Sequence, residues 1–310
     1  MKIALIGQQD FGKAVLEAFL ARGDEPTAVF CAPEKEGARP DALRVAAQSK
    51  GLKVLQFRSL RDSEAVRAMQ QAGADIGIMA FVTQFAPQEF VNIPRCGTIQ
   101  YHPSLLPRYR GPSSINWPII KGDTETGLTI FRPTDGLDEG AVILQKKTPI
   151  SPDDTLGSVY FDRLFPMGVA ALLEAADLVA ADHHTETAQD ESNASYEGWC
   201  RSPEARIDWA KPVDQVYNLI RGCNPAPGAW TTANGRKFQI FDARKTVFRR
   251  FADVPGKIGE VTDVTEQSFK VASQGGTIEV LKARMEGGQK SSGFELLKAA
   301  GIHTGYLLGS

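Results

Sequence analysis

Cysteine is scarce in this chain. The four present, Cys31, Cys96, Cys200 and Cys223, are widely spaced and form no CxxC pair, so neither a disulfide framework nor a thiolate zinc site is expected. Reduced thiols point to a cytoplasmic location. Long apolar runs are missing too: no stretch approaches the roughly 18 residues that a membrane span requires. The opening Met1-Lys2-Ile3-Ala4-Leu5-Ile6 stops at Gly7 and passes into polar Gln8-Gln9-Asp10, the pattern of a buried first strand rather than a signal peptide. There is no charge excess of either sign. With 35 basic against 37 acidic side chains and a net charge of −2, no global positive field exists to draw in a phosphate backbone. The densest basic run, Arg244-Lys245-Thr246-Val247-Phe248-Arg249-Arg250, reads as an exposed strand face before it reads as an RNA patch. Histidine is equally rare, with four in all. Two of them, His183 and His184, fall in a polar tract where adjacent histidines are solvated bystanders more often than metal ligands, and no metal is expected.

Composition is otherwise that of a globular protein, 42% hydrophobic and 23% charged over 310 residues, enough chain for two cores. The first 150 residues alternate short apolar runs with amphipathic stretches, the pattern of βαβ units on a Rossmann-like parallel sheet. Strands are expected at Lys2 to Ile6, Ala28 to Cys31, Val54 to Gln56, Ile76 to Ala80 and Gly97 to Tyr101, with a helix over Gly12 to Arg22 whose apolar face is Val15, Leu16, Phe19 and Leu20. The loop Gly7 to Gly12 is not GxGxxG, and the second strand ends in Phe30-Cys31-Ala32 without an acid for a ribose hydroxyl. NAD is therefore not expected, and a tight strand-to-helix turn is. Further strands are read at Thr129 to Arg132 and Ala141 to Lys147, then a long helix over Thr155 to Ala181. A linker of about 182–203 follows, polar and without periodicity. Beyond Asp208-Trp209 come a helix at Val213 to Arg221 and short β-like runs at Ala229 to Thr232, Lys237 to Phe241, Gly259 to Val264, Ser268 to Ser273 and Thr277 to Arg284. That spacing suggests a small OB-like β-barrel. The expected division is a catalytic domain over 1–203 and a C-terminal barrel over 204–310.

Two motifs carry the chemistry. His102 ends an apolar strand, where open α/β sheets place ligands, and Pro103-Ser104-Leu105-Leu106-Pro107 makes a rigid turn that holds its ring. Position alone leaves a structural histidine as frequent as a functional one. Asp138 lies in Thr134-Asp135-Gly136-Leu137-Asp138-Glu139-Gly140, a loop between two apolar strands in which glycines bracket the acids. A calcium loop fails for want of a glutamate at the twelfth position, which leaves a plain acidic turn as the alternative. Tyr101 and Cys96 are expected to pack in the strand layer. A histidine and a carboxylate in one cleft, without a serine or cysteine in a nucleophile elbow, favour acyl transfer from an amide to water or an incoming amine. The carboxylate handles a proton while the imidazole polarises the acyl oxygen.

At these residues the sequence resembles the 10-formyltetrahydrofolate-dependent formyltransferase family. The resemblance rests on His102 to Pro107, on Asp135 to Gly140, and on Glu204-Ala205-Arg206-Ile207-Asp208-Trp209 with Asn224-Pro225-Ala226-Pro227-Gly228-Ala229-Trp230, which look like the start of that family's C-terminal barrel. Met1 to Gln8, Phe81-Val82-Thr83-Gln84-Phe85-Ala86-Pro87, Tyr101 and Leu164-Phe165-Pro166 are most similar to the N-terminal hydrolase domain of the 10-formyltetrahydrofolate dehydrogenases. The resemblance implies an enzyme with His102 and Asp138 as catalytic residues and with 10-formyltetrahydrofolate as substrate and tetrahydrofolate as product. It also implies a folate site along Phe81, Val82, Gln84 and Phe85 and along Thr134, Asp135, Gly136 and Leu137. Where the family has asparagine two residues before the histidine, this chain has Gln100, an amide on a longer stem with a catalytic role to be tested. The implied reaction is hydrolysis to tetrahydrofolate and formate. Transfer to methionyl-tRNA comes second, because Pro33 to Asp41, where the tRNA enzymes carry a basic loop, holds three acids against two bases. Transfer to an amino-sugar nucleotide is third, and a non-enzymatic folate-binding protein, which only Gln100 favours, is last. Oligomeric state is not written in the sequence.

Overall fold

The computed structural model describes residues 1–309. Contacts divide them into two units: 1–111, 127–148 and 161–196 form one, and 112–126, 149–160 and 197–309 form the other. Two internal segments, 112–126 and 149–160, thus belong with the C-terminal residues. Among the described residues no helix is long and apolar enough to cross a membrane.

The first unit is built on a seven-stranded sheet. In chain order it contains β1 (Lys2–Gly7), α1 (Gln9–Arg22), β2 (Glu25–Cys31), α2 (Ala42–Ser49), β3 (Val54–Gln56), α3 (Ser63–Ala72), β4 (Ile76–Ala80), α4 (Gln88–Val91) and β5 (Thr98–His102). Helix α5 (Asn116–Lys121) lies in the second unit, after which β6 (Glu125–Phe131) and β7 (Val142–Pro149) return the chain to the sheet. The strand order is β3-β2-β1-β4-β5-β6-β7, parallel from β3 to β5 and antiparallel between β5 and β6. The Rossmann-like expectation holds, with this antiparallel addition. Residues alternate between faces as strand geometry requires. Ile3 and Leu5 of β1 join Val15, Leu16 and Phe19 of α1 in one core, while Ala4 and Ile6 join Phe30, Met69 and Phe90 in the other. Both faces being covered explains why these strands read as nearly continuous apolar runs.

The order reverses at β1, whose neighbours are β2 and β4, and ligand crevices of open α/β sheets lie at the carboxyl ends beside such a reversal. Backbones come close there. A Cβ on Gly7 would stand 2.3 Å from the Ala80 carbonyl oxygen, so the strand-to-helix turn requires glycine. The helix read over Thr155 to Ala181 is composite: a π-helical segment over Ser158–Leu164 precedes α6 (Phe165–Ala180). Tyr101 packs its ring 4.4 Å from that of Phe11, and Gly168 of α6 leaves room for both.

The second unit contains α7 (Val213–Gly222), β8 (Ala229–Ala233), β9 (Arg236–Val247), β10 (Val261–Val264), β11 (Phe269–Ser273), β12 (Gly276–Met285), β13 (Ser291–Ser292) and α8 (Gly293–Ala300). The expected barrel is corrected: the strands form an open antiparallel sheet, β10-β11-β12-β9-β8, with β13 beside β12. The two strands that closure would join are each paired with another segment. Residues 205–207 run along β8 through Ile207 N to Trp230 O at 2.8 Å and Trp230 N to Ala205 O at 2.9 Å. Residues 305–308 run along β10 through Val261 N to Tyr306 O and Gly305 N to Val261 O, both 2.8 Å. Phe238, Ile240, Phe269, Val271, Ile278 and Val280 share a core with Val213, Val216 and Ile220 of α7. The basic run begins inside β9, where Arg244 pairs with Glu279 of β12. All four cysteines are free, and Cys200 and Cys223 meet in this core with their sulfurs 3.9 Å apart.

Candidate active site

Strand β5 sets the first half of the site. Ile99 and Tyr101 point into the core shared with α1 and α6, so by alternation Gln100 and His102 take the opposite face. Gln100 pairs through its backbone with Met79 and Phe131. Its half-buried side-chain amide has no hydrogen bond among the described residues.

Beyond His102 the chain turns sharply and is held by side chains. Ser104 N donates to His102 O at 3.0 Å, and Ser104 Oγ donates to Arg108 O at 2.7 Å. Thr129 of β6 donates its hydroxyl to Ser104 O at 2.7 Å and accepts Leu106 N at 3.1 Å. The turn delivers Tyr109, in the left-handed region at φ 59°, with its carbonyl 2.8 Å from His102 Nε2. A carbonyl only accepts, so Nε2 carries the hydrogen in that bond and Nδ1 is the nitrogen that faces the cleft.

The cleft side of His102 is occupied by Asp138. Its Oδ2 lies 3.5 Å from His102 Nδ1 and accepts Gly111 N at 2.9 Å. Both side chains are buried, at 7% exposure each, and Asp138 Oδ1 has no hydrogen bond among the described residues. At 3.5 Å the Nδ1–Oδ2 contact is longer than a good hydrogen bond, so both groups keep capacity for a reacting molecule. Asp138 adopts φ 55°, a conformation that aspartate and asparagine tolerate better than most residues. Its loop closes because Arg132 N donates to Ala141 O at 2.9 Å and Gly140 passes so near Arg132 that a Cβ would stand 1.5 Å from its carbonyl oxygen.

The residues expected to line a folate site divide by what they touch. Phe81, at φ 60° and 42% exposed, Phe85, also 42% exposed, and Leu137, 53% exposed, each offer apolar surface to solvent. Arg61 stacks its guanidinium 4.2 Å from the centre of the Phe85 ring. Val82 packs instead on the core around Phe90. Gln84 donates its amide to Phe57 O at 2.8 Å and Arg58 O at 3.0 Å, which holds the loop. The 133–138 loop is tied to α4, because Gln88 N donates to Asp135 Oδ1 at 3.1 Å and Gln88 Nε2 to Pro133 O at 2.9 Å. Gly136 N reaches back to Thr134 Oγ1 at 3.3 Å. Among the described residues no cluster of three or more histidine, cysteine or carboxylate side chains could hold a metal ion.

The tract read as a linker belongs in part to this site. Residues 189–196 lie along the loops that carry His102 and Asp138. Arg110 donates to both carboxylate oxygens of Glu191, at 2.9 and 2.7 Å, and to Gln189 Oε1 at 2.8 Å. The bonds between Arg110 and Glu191 raise the pKa of the guanidinium and hold the carboxylate below its usual range. Ser195 accepts Tyr109 N on its hydroxyl at 2.9 Å and Arg110 N on its carbonyl at 2.9 Å. The Tyr196 ring lies so near Gly111, at φ 98°, that a Cβ there would be 2.5 Å from it. His184 lies 3.2 Å from Glu186, whose carboxylate also pairs with Arg132 at 2.7 Å. Burial works against the charge of Glu186, and Arg132 outweighs it, leaving the pKa lowered. Arg110, Gln189, Glu191 and Ser195 were not legible as site residues. The usable signal was an arginine closing the histidine motif that needs acceptors, and a polar tract that supplies them.

Residues 1–175 match the formyl transferase family model, and residues 201–301 match that of the formyl transferase C-terminal domain. The cytosolic 10-formyltetrahydrofolate dehydrogenase of Mus musculus is 42% identical over 248 residues, 78% of this chain and 27% of that protein. The chain thus spans little more than a quarter of the length of that relative. The methionyl-tRNA formyltransferase of Syntrophus aciditrophicus (strain SB) is 33% identical over 314 residues, covering 100% of this chain and 99% of that protein. Among solved structures, an N-formyltransferase from Helicobacter canadensis in complex with folinic acid and dTDP-3-aminofucose matches at a TM-score of 0.67 and 18% identity, over 91% of this chain and 99% of that one. HypX from Aquifex aeolicus in complex with tetrahydrofolic acid matches at 0.65 and 19%, over 96% of this chain and 47% of that one. At those identities the structural likeness is one of fold. With both family models matched and a relative aligned end to end, this chain belongs to the formyl transferase family.

Proposed function

We propose that this chain removes the formyl group of 10-formyltetrahydrofolate with water as acceptor, releasing tetrahydrofolate and formate. The observation that carries the reading is the pair formed by His102 Nδ1 and the Asp138 carboxylate, 3.5 Å apart and buried, with the other imidazole nitrogen engaged by Tyr109 O. A water held by Asp138 attacks the formyl carbon and passes a proton to the carboxylate. The carbonyl electron pair moves to the formyl oxygen, which takes a hydrogen bond from Nδ1–H of His102 in its imidazolium form, where both ring nitrogens carry hydrogen and Nε2–H stays on Tyr109 O. Collapse of the tetrahedral species breaks the bond from carbon to N10, and the proton on Asp138 goes to the departing nitrogen. The exposed rings of Phe81 and Phe85 together with Leu137 supply apolar surface for a flat pterin. Gln100, with an unused amide on the face of β5 that carries His102, is the remaining candidate for a donor to the formyl oxygen.

Water is preferred over an amine because the 42% identical relative is named a 10-formyltetrahydrofolate dehydrogenase, and because the 33–41 loop holds three acids against two bases. Glu34 there accepts Asp41 N at 2.9 Å, Arg44 Nε at 2.5 Å and Gln56 Nε2 at 2.9 Å. A second reading, transfer to an amine, rests on the end-to-end match to a methionyl-tRNA formyltransferase and on a fold neighbour solved with dTDP-3-aminofucose. Incubating the protein with 10-formyltetrahydrofolate alone separates the two. Tetrahydrofolate and formate should appear at equal rates. Their absence, with formylation of charged initiator tRNA or of an amino-sugar nucleotide once it is added, would replace hydrolysis by transfer.

A further inference from the structure

We infer that Gln189 is a positioning residue for Asp138, holding the backbone of the catalytic loop in the conformation that aims its carboxylate at His102. The inference rests on the reading of Asp138 as the proton acceptor. Gln189 Nε2 lies 2.8 Å from Asp138 O and 2.8 Å from Gly140 O. Both hydrogens of one amide group are therefore used on two carbonyls of the same loop. Its other atom, Oε1, accepts from Arg110 Nη2 at 2.8 Å and from Nε at 3.3 Å. Carbonyls only accept and a guanidinium only donates, so the amide has one allowed orientation. Arg110 is in turn buried to 9% exposure and fixed by Glu191.

The loop needs such a hold. Asp138 stands at positive φ, a conformation an L-residue keeps only when its surroundings enforce it. Two residues on, Gly140 passes against the Arg132 carbonyl. Between them, Glu139 is exposed. Gln189 bonds the carbonyls on either side of that exposed residue and so fixes the peptide that follows Asp138. Arg110 fills a second role through its own backbone. Its neighbour Gly111 donates N–H to Asp138 Oδ2, so one residue pair anchors the carboxylate while the Gln189 amide anchors the main chain that bears it.

Gln189→Glu tests this. It keeps the length and an oxygen for Arg110, and it sets an oxygen against two carbonyls in place of two N–H donors. Glu186→Gln is the control, because it loosens the same tract at its contact with Arg132 and leaves Gln189 in place. For Gln189→Glu, kcat for formate release should fall about tenfold or more while KM for 10-formyltetrahydrofolate stays within about twofold, the split expected when a reacting group is misplaced and substrate binding is retained. Amide exchange in the 136–141 peptide should quicken by about tenfold. Glu186→Gln should leave kcat and that exchange within about twofold of the parent. Unchanged kcat and exchange in Gln189→Glu, or equal losses in the two variants, would overturn the inference, the second by showing that the tract is only tethered. Should Gln189→Glu be recovered unfolded, Gln189→Met, apolar and of similar volume, carries the same two readouts. The exchange result does not depend on the acceptor, so a parent protein that releases no formate counts against hydrolysis alone.

Discussion

His102 has two ring nitrogens, and the fold engages one of them with Tyr109 O at 2.8 Å. The identity of the cleft-facing nitrogen follows from a backbone carbonyl seven residues along the chain, so the chemistry of this side chain is set by the turn after it. Asp138 is placed as tightly, by φ 55° and by the Gly111 N–H at 2.9 Å. Asparagine suits the same backbone conformation and the same volume, whereas alanine would add roughly 1–2 kcal/mol of left-handed strain. Asp138→Asn is therefore the informative substitution: turnover should drop by about 10²–10⁴, the range for loss of a general base, and tetrahydrofolate affinity by calorimetry should stay within about threefold. A variant that keeps more than about a tenth of parental turnover would remove Asp138 from the proton path. Both residues could be singled out in the sequence, because a histidine at a strand end before a double-proline turn and an acid between glycines are local patterns. Gln189 could not. Its role depends on three partners far apart in sequence, Arg110, Asp138 and Gly140, and nothing about a glutamine in a polar tract announces them.

Elements show the same division. Strands β1 and β4 lie within a residue of their expected bounds and helix α1 ends where expected but starts three residues earlier, because two-sided burial and a 3.6-residue apolar face are signals carried by contiguous residues. The seven-stranded order and the antiparallel β5–β6 pair were not recoverable, since they depend on a chain excursion through 112–126 that the hydropathy pattern does not mark. The loop between β2 and α2 yields a test at this scale. Glu34 holds it through Asp41 N, Gln56 and Arg44, and its pKa is lowered from an ordinary 4.5 to about 2, the Asp41 backbone N–H being the largest cause. A carboxylate depressed by folding stabilises the fold above its ordinary value, and that contribution is lost as pH falls toward the folded value. The 33–41 loop should accordingly stay ordered down to pH 4 and loosen as pH approaches 2. The Asp41 amide resonance should follow with a midpoint near 2, and Glu34→Gln should abolish the titration. A midpoint near 4.5 would show that the network contributes nothing to loop order.

For the whole molecule, the edges of the second sheet decide how it behaves among its own copies. A barrel has no edges; this sheet has two, and both are sheathed by chain that is not itself strand, 205–207 beside β8 and 305–308 beside β10. Sequence could not distinguish the alternatives, because a closed and a sheathed sheet call for the same alternation in each strand and differ only in what lies alongside the outermost ones. Bare edges template pairing with another chain. Cutting the chain back to Ile302 leaves that buried residue in the core and strips the cover from Val261, at the loss of Leu308, which is 6% exposed. Scattering mass of the trimmed chain should climb with concentration more steeply than that of the intact one, and identical curves would show that β10 needs no cover. A few residues without regular structure then act as an insulator, taking up the N–H and carbonyl of Val261 and closing that stretch of the strand to a second copy.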